Sequence, residues 1–118
     1  MRVLLVEDDA VLASVMLDAL TDSGHSARHV NNPDEAFRLA NAERWDAIVV
    51  DGFGDSYMQP DAEYRTAVRQ LGRRSPVVVT SARAWAGSAS AADLGVAAIL
   101  SKPFDIDQLI GTLGAVAG

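Results

Sequence analysis

No cysteine occurs in these 118 residues, which excludes a disulfide framework and a thiolate metal site and points to a reducing compartment. Histidine is nearly as scarce. His25 and His29 are the only two, too few for an imidazole-built metal centre, and no ligand or catalytic role is expected of either. Long apolar runs are also missing: the opening one, Val3 to Val6, is too short for a signal-peptide core, and nothing approaches a membrane span. The chain is therefore expected to be soluble and cytoplasmic, without membrane partners. Positive charge is in deficit, with 10 Lys and Arg against 16 Asp and Glu for a formal charge of −6. A phosphate backbone needs a basic footprint, so direct nucleic-acid contact is not expected; the one basic pair, Arg73-Arg74, reads as a helix end. There is no internal repeat, linker or low-complexity segment, and residues 1–118 read as one domain with a core of its own.

What the chain does have is a set of apolar runs that stop abruptly in polar residues. Ala47-Ile48-Val49-Val50 ends in Asp51, Val3-Leu4-Leu5-Val6 in Glu7-Asp8-Asp9, Val77-Val78-Val79 in Thr80-Ser81, and Ala97-Ala98-Ile99-Leu100 in Ser101-Lys102. Runs without polar alternation read as strands buried on both faces, and such strands belong to parallel sheets covered by helices. The polar endings would then share the carboxyl edge of one sheet, where ligands collect in open α/β folds. Ser26 to Val30 is short and more polar, as an edge strand would be.

Helical spacing fills the intervals. Val11, Leu12, Val15, Met16, Ala19 and Leu20 form one stripe, with Gly24 as its stop. Asn32-Pro33-Asp34-Glu35 is a helix start with a cap, a proline at the first position and a glutamate able to close a capping box. Ala36, Phe37, Leu39 and Ala40 follow as its buried face. A third helix starts at Pro60-Asp61 and carries Tyr64, Ala67, Val68 and Leu71 inward. The alanine-rich stretch Ala84 to Leu94 contains Gly87 and two serines, so its helix should be short or frayed before Gly95 ends it. Ile106, Leu109, Ile110, Leu113 and Val116 mark the last helix. Five strands alternating with five helices give an α/β fold with a parallel sheet and right-handed crossovers.

Gathering Glu7, Asp8 and Asp51 on one edge creates an electrostatic problem. Two like charges about 4 Å apart repel by roughly 4 kcal/mol at an effective dielectric near 20, enough to raise the pKa of one of them. A divalent cation removes the problem, and oxygen-only ligands favour Mg²⁺. With Mg²⁺ and Lys102 beside it, Asp51 could accept a phosphoryl group, since Asp carboxylates are known phosphoryl acceptors and the transfer depends on positioning and charge stabilisation. Ser81 could donate a hydrogen bond to a phosphoryl oxygen.

Four segments in this order, Leu4-Leu5-Val6-Glu7-Asp8-Asp9, Ile48-Val49-Val50-Asp51, Pro76-Val77-Val78-Val79-Thr80-Ser81-Ala82 and Ser101-Lys102-Pro103-Phe104, resemble the CheY-like response-regulator receiver domain of two-component signalling. The resemblance implies a flavodoxin-like (βα)5 three-layer sandwich with a five-stranded parallel sheet of order 2-1-3-4-5. It implies Asp51 as acceptor of a phosphoryl group from the phosphohistidine of a sensor histidine kinase or histidine phosphotransfer protein. It further implies that Mg²⁺ is held by Asp8 and Asp51, by Glu7 through water and by the backbone carbonyl of Phe53, that Lys102 pairs with Asp51 or its phosphate, and that Ser81, with the small Ala82 after it, is the switch hydroxyl. The product of such a module is a state rather than turnover of a substrate, so it is not expected to be an enzyme beyond its own phosphorylation and dephosphorylation.

Departures from the family pattern are local. Gly54-Asp55 and Gln59 stand where Met-Pro and a later glycine are usual, and Ile99 stands where an aromatic residue often lies three before the lysine. They motivate an alternative, a receiver-like module that binds a partner without phosphorylation, and leave Trp85 as a possible partner surface. A phosphatase with an aspartyl nucleophile generally has a second Asp two residues on, where this chain has Phe53. A flavin or dinucleotide site is poorly supported, because acids follow the first strand in place of a glycine-rich turn.

Overall fold

Strands buried on both faces dictate the architecture. In the computed structural model, which describes residues 1–51, 62–81 and 90–117 (33 and 62–64 by main chain alone), the elements alternate along the chain. They are β1 (Arg2–Val6), α1 (Ala10–Asp22), β2 (Ser26–Val30), α2 (Pro33–Ala42), β3 (Ala47–Asp51), α3 (Ala62–Gly72), β4 (Val77–Ser81), α4 (Ala91–Leu94), β5 (Ala98–Ser101) and α5 (Ile106–Ala117). The strands form one sheet of order β2-β1-β3-β4-β5, and all four pairings are parallel. This is the flavodoxin-like arrangement, with its central reversal between β1 and β3.

Alternation along each strand divides the core in two. Leu4, Val6, Ile48, Val50, Val77 and Val79 pack with Ala36 and Leu39 of α2, Val68 and Leu71 of α3, and Leu94 of α4. Val3, Leu5, Val49 and Val78 face the other way, against Ala13, Met16 and Leu20 of α1 and Leu109 and Leu113 of α5. Helices thus cover both faces of the sheet. Among the described residues, no helix is long and apolar enough to cross a membrane.

The start of α2 follows its sequence signal with one exchange, while the expected start at Pro60-Asp61 lies outside the described residues. Asn32 caps α2 by accepting the Glu35 N–H at 2.9 Å, but the Glu35 carboxylate pairs with Arg38 at 3.2 Å rather than turning back to close a box. The reciprocal capping box is found on α5. There Asp105 accepts from the Gln108 N–H at 2.8 Å, and the Gln108 side chain accepts from the Asp105 N–H at 2.9 Å. Gly95 ends α4 at φ 73°, in the left-handed region that favours glycine.

One expected stripe is rotated. Val11 and Val15 are 76% and 50% exposed, while Ala13, Met16 and Leu20 face the sheet. From Ala10 to Leu20 only Ser14 and Asp18 are polar, so periodicity had too little contrast to fix the helix phase, and the Asp9 cap and the sheet decided it. The expected inner residue Tyr64 and the stretch 82–89, including Trp85 and Gly87, lie outside the described side chains.

Candidate functional site

Three strand ends converge. β1 delivers Glu7 and the acidic turn after it, β3 ends in Asp51, and β5 hands over directly to Lys102. The Lys102 main chain is tied to the sheet by donation of its N–H to the Ser81 carbonyl at 2.8 Å. Its Nζ donates to Asp51 Oδ1 at 2.7 Å and lies 3.6 Å from Glu7 Oε2, an ion pair too long for a hydrogen bond. The three side chains are largely withdrawn from solvent, at 19% for Lys102, 13% for Asp51 and 1% for Glu7. Carboxylate oxygens of Glu7, Asp8 and Asp51 lie within 4.8 Å of one another.

One ammonium group does not neutralise this cluster. Burial, and then the charge of Asp51, lifts the Glu7 pKa above the ordinary glutamate value. Burial also lifts Asp51; Lys102 opposes the shift without cancelling it, and the neighbouring Asp8 carboxyl adds to it. For Lys102, burial alone would lower the pKa, but the hydrogen bond and charge of Asp51, with the charge of Glu7, outweigh it and raise it. Each shift follows from acids outnumbering the base in a poorly solvated place.

The cluster also has a polar atom left over. Glu7 Oε1 accepts the Asp9 N–H at 3.2 Å, whereas Glu7 Oε2 is buried without a hydrogen-bond partner. Buried polar atoms are normally satisfied. An all-oxygen donor set with exposed Asp8 at its mouth and a spare buried carboxylate oxygen behind fits a hard divalent cation that keeps part of its water shell. Asp9 faces elsewhere: it caps α1, accepting from the N–H groups of Val11 and Leu12 at 3.0 and 3.1 Å.

Glu7, Asp8, Asp51 and Lys102 are therefore brought together. Ser81 ends β4 beside them, 2% exposed, and its Cα pairs with that of Ser101 just before Lys102. The register sets Thr80 abreast of Asp51, and the Thr80 hydroxyl is buried without a hydrogen-bond partner. Phe53, Ala82 and the divergent loop residues Gly54, Asp55 and Gln59 lie outside the described residues. Ile99 packs, partly buried, against the core beneath α2, α3 and α4. His29, of which no ligand or catalytic role is expected, reaches the acidic turn: its Nε2 is 2.7 Å from the Glu7 carbonyl oxygen. That contact depends on the β1–β2 register, for which hydrophobic patterning offers no signal.

Comparison with known proteins points the same way as the geometry. Residues 3–113 match the response regulator receiver domain family. The response regulator MprA of Mycobacterium leprae is 30% identical over 98% of this chain and 50% of its own length. The transcriptional regulatory protein TcrA of Mycobacterium tuberculosis is 29% identical over 98% of this chain and 46% of its own. The chain thus spans about half the length of these curated relatives. Among solved structures, the receiver domain of sensor histidine kinase PA1611 from Pseudomonas aeruginosa, with a magnesium ion coordinated in its active-site cleft, superposes with a TM-score of 0.79. It is 29% identical and covers 99% of this chain and 97% of that one.

Proposed function

Because the chain belongs to the response-regulator receiver family, we propose that Asp51 is its phosphoacceptor and that residues 1–118 act as one receiver domain in a phosphorelay. The donor is the phosphohistidine of a sensor histidine kinase or histidine phosphotransfer protein in the cytoplasm. An Asp51 carboxylate oxygen attacks phosphorus, the bond from phosphorus to the imidazole nitrogen breaks with its electron pair leaving on the ring, and Asp51 becomes an acyl phosphate. Glu7, Asp8 and Asp51 would hold Mg²⁺, Glu7 through water, and the Phe53 carbonyl would be a further ligand. When bound, Mg²⁺ offsets the negative charge of the incoming group and the cluster.

The remaining work falls to side chains of this protein. Lys102 keeps Asp51 pointed at the edge and then follows the charge onto the phosphoryl oxygens. Ser81 donates to one of those oxygens, and the contacts made only in the phosphorylated state shift the conformational population that a partner reads. The observation that carries this reading is the 2.7 Å contact of Lys102 with Asp51 inside a cluster of three carboxylates.

Intact-mass measurement after incubation with Mg²⁺ and acetyl phosphate tests it. One added phosphoryl group on the wild type, absent without Mg²⁺ and absent in Asp51→Asn, is the expected result. A wild type that takes up none would refute the reading.

A further inference from the structure

The Glu7 carbonyl sits where the β1–β2 ladder runs out. Val6 pairs with Val30, and the Glu7 N–H still donates to the Val30 carbonyl at 3.1 Å. In a regular parallel ladder the next bond would bring the Asn32 N–H to the Glu7 carbonyl. By then β2 has ended and Asn32 is already the cap of α2. The donor that reaches the carbonyl is the His29 side chain, whose Nε2 lies 2.7 Å from the oxygen. A carbonyl oxygen only accepts, so Nε2 carries the hydrogen.

Glu7 is therefore gripped at both main-chain polar groups by the edge strand, on the side away from Asp51. The peptide unit that starts at this carbonyl ends at the Asp8 nitrogen. A planar peptide transmits orientation, so the imidazole sets the direction in which the chain presents Asp8. Asp8 needs such support. Its side chain is exposed, and among the described residues no basic group forms an ion pair with it.

We propose that His29 is a positioning residue for the cation site: by replacing the missing ladder donor, it fixes the Glu7–Asp8 peptide so that Asp8 meets Asp51 at the spacing a small divalent cation requires. The proposal rests on the Mg²⁺ reading of Glu7, Asp8 and Asp51 given above. It differs from a catalytic role, since His29 touches neither the carboxylates nor a reacting atom. Outer groups that orient ligands commonly govern metal affinity as strongly as this.

The test is calorimetric titration of Mg²⁺ into the whole chain, comparing His29→Gln with His29→Met. The two replacements are close in length and bulk, but only Gln keeps an N–H donor for the Glu7 carbonyl. His29→Met should weaken Mg²⁺ binding about tenfold, with His29→Gln near the wild type. Melting of the metal-free proteins reports packing separately, so a lost affinity at matched melting temperature is positioning and not general damage. Equal affinity in wild type and His29→Met, or equal loss in both variants, overturns the proposal while leaving the site reading intact. A wild type that binds no Mg²⁺ instead overturns the site reading itself. If His29→Met does not fold, His29→Asn, whose amide stops short of the carbonyl, takes its place against His29→Gln with the same expected contrast.

Discussion

At the amino edge of the sheet, the charge of Arg2 is met by close partners; at the carboxyl edge acids outnumber the base that pairs with them. Arg2 donates to Glu43 at 2.8 Å and to the Arg44 carbonyl at 2.8 Å, its main-chain N–H reaches Asp46 at 2.7 Å, and its guanidinium lies 4.6 Å from the Trp45 ring centroid. Trp45 in turn donates to the Leu39 carbonyl and accepts from Ser75 through its own carbonyl. At the other edge, three carboxylates cluster, only Glu7 and Asp51 pair with Lys102, and the Glu7 and Asp51 pKa values are pushed up by their burial. The same parallel sheet supports both edges, so the difference lies in the residues placed at the strand ends. One edge serves the fold, while the other holds a charge deficit that a cation can fill.

The largest effect should come from removing Lys102, the one cation paired with the acids at the deficient edge among the described residues. Lys102→Met leaves Glu7 and Asp51 buried without their partner, and breaking such a pair typically costs about 3 kcal/mol or more. Urea denaturation at neutral pH, metal-free, should show a loss of this order, with part of it recovered in Mg²⁺. Supplying a cation to the wild type works in the opposite direction. Mg²⁺ at a hundred times its dissociation constant should add about 2.7 kcal/mol to unfolding stability, and chelation should remove it. A melting temperature indifferent to Mg²⁺ would erase the contrast between the edges.

Acid should relieve the imbalance by a smaller margin. Glu7 and Asp51 have folded pKa values above their unfolded ones, so between those values the native chain binds more protons than the unfolded one. Their contribution is fully present below the unfolded values, about 3.9 for Asp and 4.3 for Glu, and is lost as pH rises through the folded ones. Metal-free protein should therefore gain stability from these two groups as pH falls from neutrality, and Asp51→Asn should flatten the profile. The raised Lys102 contributes in the alkaline range, where its stabilisation disappears as pH passes its folded pKa. Arg2→Met, at the matched edge, should cost only about 1 kcal/mol. It should leave Mg²⁺ affinity unchanged, which separates structural from functional charge.

Much of this was legible in the chain because abrupt endings of apolar runs are a strong signal. Val50 to Asp51 and Leu100 to Lys102 placed an acid and a base at one sheet edge before any coordinates, and Asn32 announced its cap. The phase of α1 was not legible, since apolar residues surround nearly the whole helix and Val11 and Val15 competed with Ala13 for the buried face. His29 was missed for a different reason. Its contact with Glu7 arises from pairing between strands 22 residues apart, and a register of that kind leaves no local trace. Thr80 illustrates a third limit: alternation separates it from Ser81, but only the β3–β4 register reveals that Thr80 is the one abreast of Asp51.

Among the clustered acids, Asp51 alone accepts a hydrogen bond from Lys102, and the proposal that Asp51 is the phosphoacceptor is built on that asymmetry. Borohydride reduction of the Mg²⁺- and acetyl-phosphate-treated protein, followed by peptide mass mapping, measures this directly, because an aspartyl phosphate is converted to homoserine at the modified position. The expected result is homoserine at residue 51 and intact carboxylates at residues 7 and 8. Conversion at either of those positions, or at none, would contradict it.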